Sequence, residues 1–155
     1  MLRLSKKADY ALIAMKHLAL RVDGGSSSAR EIAEGYDIPV ELMAKVLQRL
    51  ARSGLLVSQQ GTRGGYLLAR PAAQISVADV IQAVDGPLTV TACGTDETCD
   101  QYAKCNVRDP LWKIKDRIQQ ALATCSIHEI ATDTMDAPAV TVPVVRRPAS
   151  GTVVA

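Results

Sequence analysis

The chain has 155 residues, which is enough for one domain with an appendage. Hydrophobic residues make up 48% of it, but Phe is absent and only 3% of the residues are aromatic, so we expect an aliphatic core. The net charge of +2 is unevenly distributed: residues 1–70 hold 11 Lys and Arg against 6 Asp and Glu, and residues 71–155 hold 7 against 10. The basic first half is consistent with a polyanionic partner, although scattered solubilising charge would give the same count.

We do not expect the opening segment MLRLSKKADYALIAMKHLAL to be a signal peptide, because Asp9 and Lys16 interrupt any apolar stretch. No run approaches the roughly 18 apolar residues that a membrane-spanning helix needs. We therefore expect a soluble, cytoplasmic protein without membrane association. In that compartment clustered cysteines bind metal or do redox work more often than they form structural disulfides.

The apolar spacing predicts a first helix over residues 5–20, with Ser5 as its cap. Its inward stripe is predicted to comprise Tyr10, Ile13, Ala14, His17 and Leu18. A loop of turn-forming residues follows at 22–28. Ser28 and Glu31 then have the spacing of a capping box at the start of a short helix.

The next segment predicts a second short helix after a tight turn at Gly35. Pro39 suits the first helical position, and Gly54 ends the helix. The apolar stripe of this helix is predicted to comprise Leu42, Val46, Leu47 and Leu50. Two short helices joined by a tight turn outline a helix-turn-helix, although any helical hairpin has the same outline.

The segment LLVSQQ-GTRGG-YLLA predicts two short strands around a glycine-rich turn. A β-hairpin directly after a helix-turn-helix is the wing of a winged helix. Glycines let its backbone approach closely, and Arg63 at the tip can reach phosphates or the minor groove. An ordinary solvated hairpin remains the alternative.

The second half predicts two further helices. One spans residues 75–88, with Ser76 as its cap and Gly86 and Pro87 at its end. The other spans 110–124 and carries an apolar stripe that packs either on its own domain or on a second copy of the chain. The domain organisation expected is a winged helix-turn-helix over 1–88, a cysteine loop over 89–109, a dimerisation helix and its end over 110–130, and a disordered tail over 131–155.

Three cysteines, Cys93, Cys99 and Cys105, lie at equal intervals in a polar stretch, with five residues between each pair. Zinc sites usually contain ligand pairs about two to four residues apart, and dithiol redox enzymes favour C-x-x-C, so neither pattern fits. An iron–sulfur cluster uses thiolates spaced along an irregular loop. The spacing favours the cluster, whose fourth ligand must come from elsewhere. Cys125 is expected to be a small buried hydrophobe, and His17 and His128 are expected to be structural.

Long stretches of the chain resemble the bacterial winged-helix regulators that include IscR, NsrR and CymR. The resemblance rests on RLSKKADYAL, AREIAEGYDIPVELMAKVLQRLARSGLLVSQQGTRGGYLLARP, ISVADVIQAVDGPL and the C-x5-C-x5-C row. It covers residues 2 to 130. Within the family, MLRLSKKADYA and CNVRDPLW look most like the regulators encoded with the SUF iron–sulfur assembly system.

The resemblance implies a homodimer whose winged helices enter successive major grooves of double-stranded DNA. It also implies that Cys93, Cys99 and Cys105 hold an iron–sulfur cluster whose presence or redox state alters DNA affinity. IscR-like members have a histidine three residues after the third cysteine, where this chain has Arg108, which cannot ligate. NsrR-like members recruit an aspartate from the first helix of the partner subunit, and Asp9 occupies that position. The two branches hold 2Fe–2S and 4Fe–4S clusters respectively, so the cluster type stays open.

The expected contacts fall into three groups. Phosphate contacts are expected from Arg3, Lys6, Lys45, Arg49 and Arg63. Base-edge contacts are expected from Val40, Glu41, Ala44 and Lys45, and Ser28, Gly64 and Tyr66 complete the DNA-binding set. Dimer contacts are expected from Leu111, Trp112, Ile114, Ile118 and Leu122.

The expected function is that of a cluster-sensing transcriptional regulator of iron–sulfur assembly genes, not of an enzyme. A nitric-oxide-sensing repressor of the same fold is one alternative. An iron–sulfur or redox carrier that does not bind DNA is the alternative from another class.

Overall fold

The computed structural model describes residues 3–21, 24–62, 64–90 and 99–132. These residues are mainly helical, with one antiparallel two-stranded sheet, as the sequence predicts. The elements are α1 (Lys6–Ala19), α2 (Ala29–Gly35), α3 (Val40–Arg52), β1 (Leu56–Gln59), β2 (Gly65–Leu68), α4 (Val77–Asp85), α5 (Arg108–Thr124) and α6 (Ile127–Thr132). Short 3-10 turns lie at Ala72–Gln74 and Tyr102–Lys104. No described helix is long and apolar enough to cross a membrane.

Helix α1 lies at the centre of the core and packs against α3, α4 and α6. It begins where the hydroxyl of Ser5 accepts a hydrogen bond from the amide of Ala8 at 3.1 Å, as predicted. Its buried face comprises Ala8, Ala11, Ala14, Met15 and Leu18. Tyr10, Ile13 and His17, predicted to face inward, are only half-buried. The alanines leave room for neighbouring helices to approach closely.

The connection from α2 to α3 differs in detail from the prediction. Ser28 caps α2 by accepting from the amide of Glu31, but the carboxylate of Glu31 pairs with Arg21 at 2.5 Å. The left-handed residue of the turn is Asp37, with φ of 53°, and not Gly35. A short polar side chain tolerates this conformation. Pro39 is the N-cap of α3 and not its first helical residue.

The buried stripe of α3 comprises Met43, Val46, Leu47 and Leu50. The prediction that Leu42 belongs to this stripe was wrong, because its side chain is 45% exposed whereas Met43 is fully buried. Positions 43, 46, 47 and 50 follow the spacing of one helical face, and position 42 falls beside it. Sequence alone could not distinguish two adjacent apolar residues.

The hairpin forms as predicted, with Leu56 paired to Leu68 and Gln59 to Gly65. Its second strand also pairs with Ser27, whose amide donates to the carbonyl of Tyr66 at 3.0 Å and whose carbonyl accepts from the amide of Tyr66 at 2.8 Å. The segment before α2 therefore fixes β2 to the helical core.

Helix α6, which the sequence did not predict, returns the chain to the core. Ser76 forms a complete capping box at the start of α4, and its backbone bridges to Ser126. The amide of Ile127 donates to the carbonyl of Ile75 at 2.8 Å, and both side chains are fully buried. Helix α6 extends through residues 131 and 132, which the sequence assigned to the tail; residues 133–155 lie outside the described part of the chain.

Candidate DNA-reading surface and cysteine loop

The outer face of α3 presents polar side chains away from the core. Val40, Glu41 and Lys45 are exposed, and Ala44 is half-buried. Gln48 and Arg52 are also exposed and lie on the same face as Glu41 and Lys45. They follow Lys45 by one and two helical turns, respectively. Gln48 and Arg52 were not among the predicted contacts, although the 3.6-residue period counted from Glu41 places them on the same face. This face offers two cations, a carboxylate and an amide, which are side chains that can reach base edges and phosphates.

The other residues expected to contact DNA have different surroundings. The guanidinium of Arg49 donates to the backbone carbonyl of Val84 at 2.7 Å, so it fastens α3 to the end of α4. Arg3 and Lys6 are exposed at the start of α1. Ser28 uses its hydroxyl to cap α2. Contact of these residues with DNA stays a prediction.

The wing requires glycine at two successive positions. A Cβ on Gly64 would lie 2.7 Å from the carbonyl oxygen of Gln59, and one on Gly65 would lie 2.5 Å from the carbonyl group of Ser27. Both contacts are with backbone atoms, which cannot move aside cheaply. Tyr66 is half-buried and packs against the core. Arg63 lies outside the described residues, so its place at the tip stays a prediction.

Cys99 and Cys105 are half-buried free thiols on the segment that precedes α5. The carbonyl of Cys99 accepts from the amide of Tyr102 at 2.8 Å, which starts the 3-10 turn between the two cysteines. Their chemistry fits an iron–sulfur cluster, because thiolates are its usual protein ligands. Cys93 lies outside the described residues, and Asp9 is exposed in the first turn of α1. The described residues of a single chain contain no group of three His, Cys, Asp or Glu that could hold a metal ion.

Arg108, the first residue of α5, is held beside the third cysteine by several contacts. Its guanidinium carbon lies 4.4 Å from the ring centroid of Tyr102 and 5.8 Å from that of Trp112. Its Nε donates to the carboxylate of Asp109 at 3.0 Å. The hydrogen bond to Asp109 raises the pKa of Arg108 most, and the negative charge of Cys105 contributes less. Like any arginine, this group is a permanent cation.

Cys125 has the surroundings of a packing residue. It ends α5, is half-buried and packs against the core. Burial, and secondarily the charge of Glu129, raises the pKa of its thiol. A raised pKa disfavours the thiolate, the form that binds metal.

Helix α5 carries apolar side chains on two sides, and none of its residues is buried. Leu111, Ile118 and Leu122 are half-buried, whereas Trp112 and Ile114 are 39% and 45% exposed. A groove beside the helix is lined by Arg3, Leu4, Leu88, Thr89, Val90, Ile118 and Leu122. A helix of 17 residues thus leaves much of its apolar surface uncovered within one chain.

The helices α2 and α3 form a helix-turn-helix, and the hairpin after them pairs with the segment before α2, which defines a winged helix. Together with the polar outer face of α3, this fold indicates a DNA-binding protein. The chain belongs to the Rrf2 family, whose model, described as an iron-dependent transcriptional regulator, matches residues 4–133. As expected, its relatives are named as transcriptional regulators and not as enzymes.

Two relatives show how far the similarity extends. The transcriptional regulator IscR of Xenorhabdus nematophila is 35% identical over 130 residues, which cover 83% of this chain and 79% of that protein. IscR of Photorhabdus laumondii is 35% identical over 133 residues, which cover 85% and 80%.

Solved structures show the same fold. CymR, the global cysteine regulator of B. subtilis, superposes with a TM-score of 0.72 at 26% identity, covering 86% of this chain and 98% of that one. IscR of T. potens superposes with a TM-score of 0.67 at 28% identity, covering 88% and 91%. The winged-helix fold is thus shared with these regulators.

Proposed function

We propose that this chain is a dimeric transcriptional regulator whose affinity for its operator depends on an iron–sulfur cluster held by Cys93, Cys99 and Cys105, and that it controls iron–sulfur assembly genes. The family description as iron-dependent and the relatives named IscR support the proposal. When bound, the cluster supplies a centre that responds to oxidants and to iron supply.

The observation that carries the proposal is the environment of Cys99 and Cys105. Both thiols are half-buried and free, and the described residues around them, 99–107, contain a 3-10 turn at Tyr102–Lys104 and no α-helix. Partial burial shields a cluster from bulk solvent, and the non-helical backbone lets several thiolates converge. Arg108 adds a fixed positive charge that offsets the negative charge of the thiolates.

The proposed dimer uses α5. None of its residues is buried in one chain, although Leu122 packs against the core, and the groove that includes Leu4, Leu88 and Ile118 lies alongside. A second copy of α5 would cover these side chains and remove apolar area from water. Symmetric packing would place Leu111, Trp112, Ile114 and Leu122 in or next to the contact.

Asp9 is the proposed fourth ligand, donated to the cluster of the partner subunit. Its carboxylate is exposed at the start of α1, so no described contact has to break for it to reach a second chain. A carboxylate in the first turn of a helix is also favoured by the helix dipole alone, and that is the competing explanation. Replacing Asp9 with Ala distinguishes the two: ligation predicts a cluster with altered spectrum and shorter lifetime.

The proposed DNA contacts follow from the outer face of α3 and, for Arg63, from its position in the glycine-rich sequence of the wing. Glu41, Ala44 and Lys45 would meet base edges, and we add Gln48, whose amide can form two hydrogen bonds with adenine. Arg63 would contact a phosphate. Arg63→Ala should therefore lower affinity for all sequences and reduce the salt dependence by about one unit of log–log slope.

The proposal is tested by the visible spectrum of anaerobically purified full-length protein, with iron, sulfide and zinc measured per chain. We expect visible absorption with iron and sulfide in similar amounts, and loss of both in Cys105→Ala. Cys125→Ala is the matched control, because its thiol packs against the core, and it should retain the cluster. A colourless parent carrying one zinc per chain would overturn the proposal.

A nitric-oxide sensor of the same fold is the second candidate. It is favoured by Arg108 where a ligating histidine would otherwise follow the cysteines, together with the carboxylate of Asp9. Nitric oxide should then abolish operator binding by the cluster-loaded protein, whereas an equivalent exposure to oxygen should act more slowly. The opposite order would favour control by oxygen or cluster supply.

A further inference from the structure

A polar network links three elements around Ser27, the one polar residue among the described residues that is buried. Arg21 donates an N–H to its hydroxyl oxygen, and Nε2 of His17 lies 3.2 Å from the same oxygen. On the other side of the imidazole, Nδ1 of His17 lies 3.3 Å from the hydroxyl of Tyr36. The network thus runs from the segment before α2, across the end of α1, to the turn before α3.

Each end of the network is attached to a DNA-reading element. The backbone of Ser27 pairs with Tyr66 in the second strand of the wing, at N–O distances of 3.0 and 2.8 Å. Tyr36 ends α2 and begins the turn into α3, and its ring meets that of His17 edge-on at 5.7 Å. Arg21 also pairs with Glu31 in α2. The imidazole of His17 therefore stands between the wing and the helix-turn-helix.

The donor and acceptor chemistry around the imidazole of His17 favours one of its two tautomers. A guanidinium only donates, so the hydroxyl of Ser27 accepts from Arg21 and has its own hydrogen left to donate. A buried hydroxyl without an acceptor is costly, and Nε2 of His17 is the acceptor within reach among the described contacts. With Nε2 as this acceptor, a neutral His17 carries its hydrogen on Nδ1 and donates to Tyr36.

We propose that His17 is a positioning residue for DNA reading, which fixes the wing relative to α3 without touching the duplex itself. Contacts from the wing and from α3 fall on one rigid duplex, so phosphate contacts made by one element set the register for base contacts made by the other. A looser connection would cost sequence-specific binding more than non-specific binding. The inference rests on the family's DNA binding and is independent of the cluster.

The first test compares two duplexes of equal length: one recovered from a random-sequence pool by selection with the parent protein, and one random duplex. His17→Ala should bind the selected duplex about tenfold more weakly, which corresponds to the loss of one or two hydrogen bonds, and the random duplex within about twofold of the parent. His128→Ala, at the exposed histidine of α6, is the matched control and should behave as the parent. Equal weakening on both duplexes, or none, would overturn the proposal.

A second variant protects the test against a folding defect in His17→Ala. Tyr36→Phe removes one hydroxyl from a residue that is 42% exposed, so thermal unfolding should be nearly unchanged while affinity for the selected duplex falls several-fold. The double variant should bind no more weakly than His17→Ala alone, because the hydroxyl acts through the imidazole. Fully additive losses would show that the two side chains act separately.

The protonation site of the His17 imidazole is a measurement that a merely structural role would not change. Long-range proton–nitrogen NMR spectra of the imidazole should show His17 protonated on Nδ1 in the parent, and a shift of that signal in Tyr36→Phe. A ring protonated on Nε2 would contradict the order of donors on which the positioning role depends.

Discussion

Replacing Gly65 with Ala perturbs the wing at a position where the backbone conformation is ordinary and only the space is missing. The new Cβ would lie 2.5 Å from both the carbonyl carbon and oxygen of Ser27, and 2.9 Å from the amide nitrogen of Ser28. All three are backbone atoms, and two of them belong to the residue that holds β2 to the core. The strand, the segment before α2, or both must move.

The cost of this replacement follows from the overlap. Inserting one methyl group into a well-packed site typically costs about 1–3 kcal/mol, and here the neighbours cannot rotate away. We expect the loss in the free energy of unfolding to lie in the upper part of that range if the two backbone hydrogen bonds between Ser27 and Tyr66 also lengthen. Specific DNA binding should fall too, because the wing is displaced relative to α3.

Urea denaturation and binding to the selected duplex measure both effects. Gly35→Ala is the matched control, because a Cβ there meets nothing within 4 Å and Gly35 is helical. Alanine should leave that variant as stable as the parent or stabilise it by about 0.5–1 kcal/mol. If Gly65→Ala proves as stable as the parent and binds DNA equally well, the close approach of β2 to Ser27 is not part of the native structure.

Three further predictions address other parts of the molecule. Met43→Ala should cost about 2–5 kcal/mol in urea denaturation, whereas Leu42→Ala should change stability by about 0.5 kcal/mol or less; the reverse order would mean that the register of α3 is wrong. Ile118→Glu should make the protein monomeric in sedimentation, because two carboxylates would face each other in the proposed contact, and a persistent dimer would place the interface elsewhere. Hydrogen bonds from the backbone and then the hydroxyl of Ser126 lower the pKa of Glu129, so its stabilising effect is full above the unfolded pKa of about 4.3 and is lost as pH falls through the lower folded value. Glu129→Gln should therefore be less stable than the parent at pH 7 and converge with it in acid.

The parts of the fold that could be predicted from sequence are those that local chemistry determines. Ser5, Ser28 and Ser76 each cap the helix that their spacing predicted, because a cap depends only on the residues of the first turn. The hairpin followed from two short apolar runs around glycines. The exposure of Leu42 could not be predicted in the same way, since two adjacent apolar residues fit the helical period almost equally well.

Features that depend on contacts distant in sequence were beyond the reach of periodicity. Helix α6 has six residues and is held by the pairing of Ile127 with Ile75, which no local pattern encodes. His17 was predicted to be structural, but its partners Ser27 and Tyr36 lie 10 and 19 residues away. The outer face of α3 was only partly predicted: Glu41 and Lys45 were included, but Gln48 and Arg52 were not, although the helical period from Glu41 places them on the same face.

The central claim is that the state of the cluster sets DNA affinity. The most direct measurement is the affinity of one anaerobic preparation for the selected duplex, before and after the cluster is removed, at fixed salt. A coupling of about 1–3 kcal/mol between the two sites predicts that the two affinities differ by about 5–150-fold, with the random duplex little affected. Equal affinities of the cluster-loaded and cluster-free protein for the selected duplex would contradict the proposed coupling.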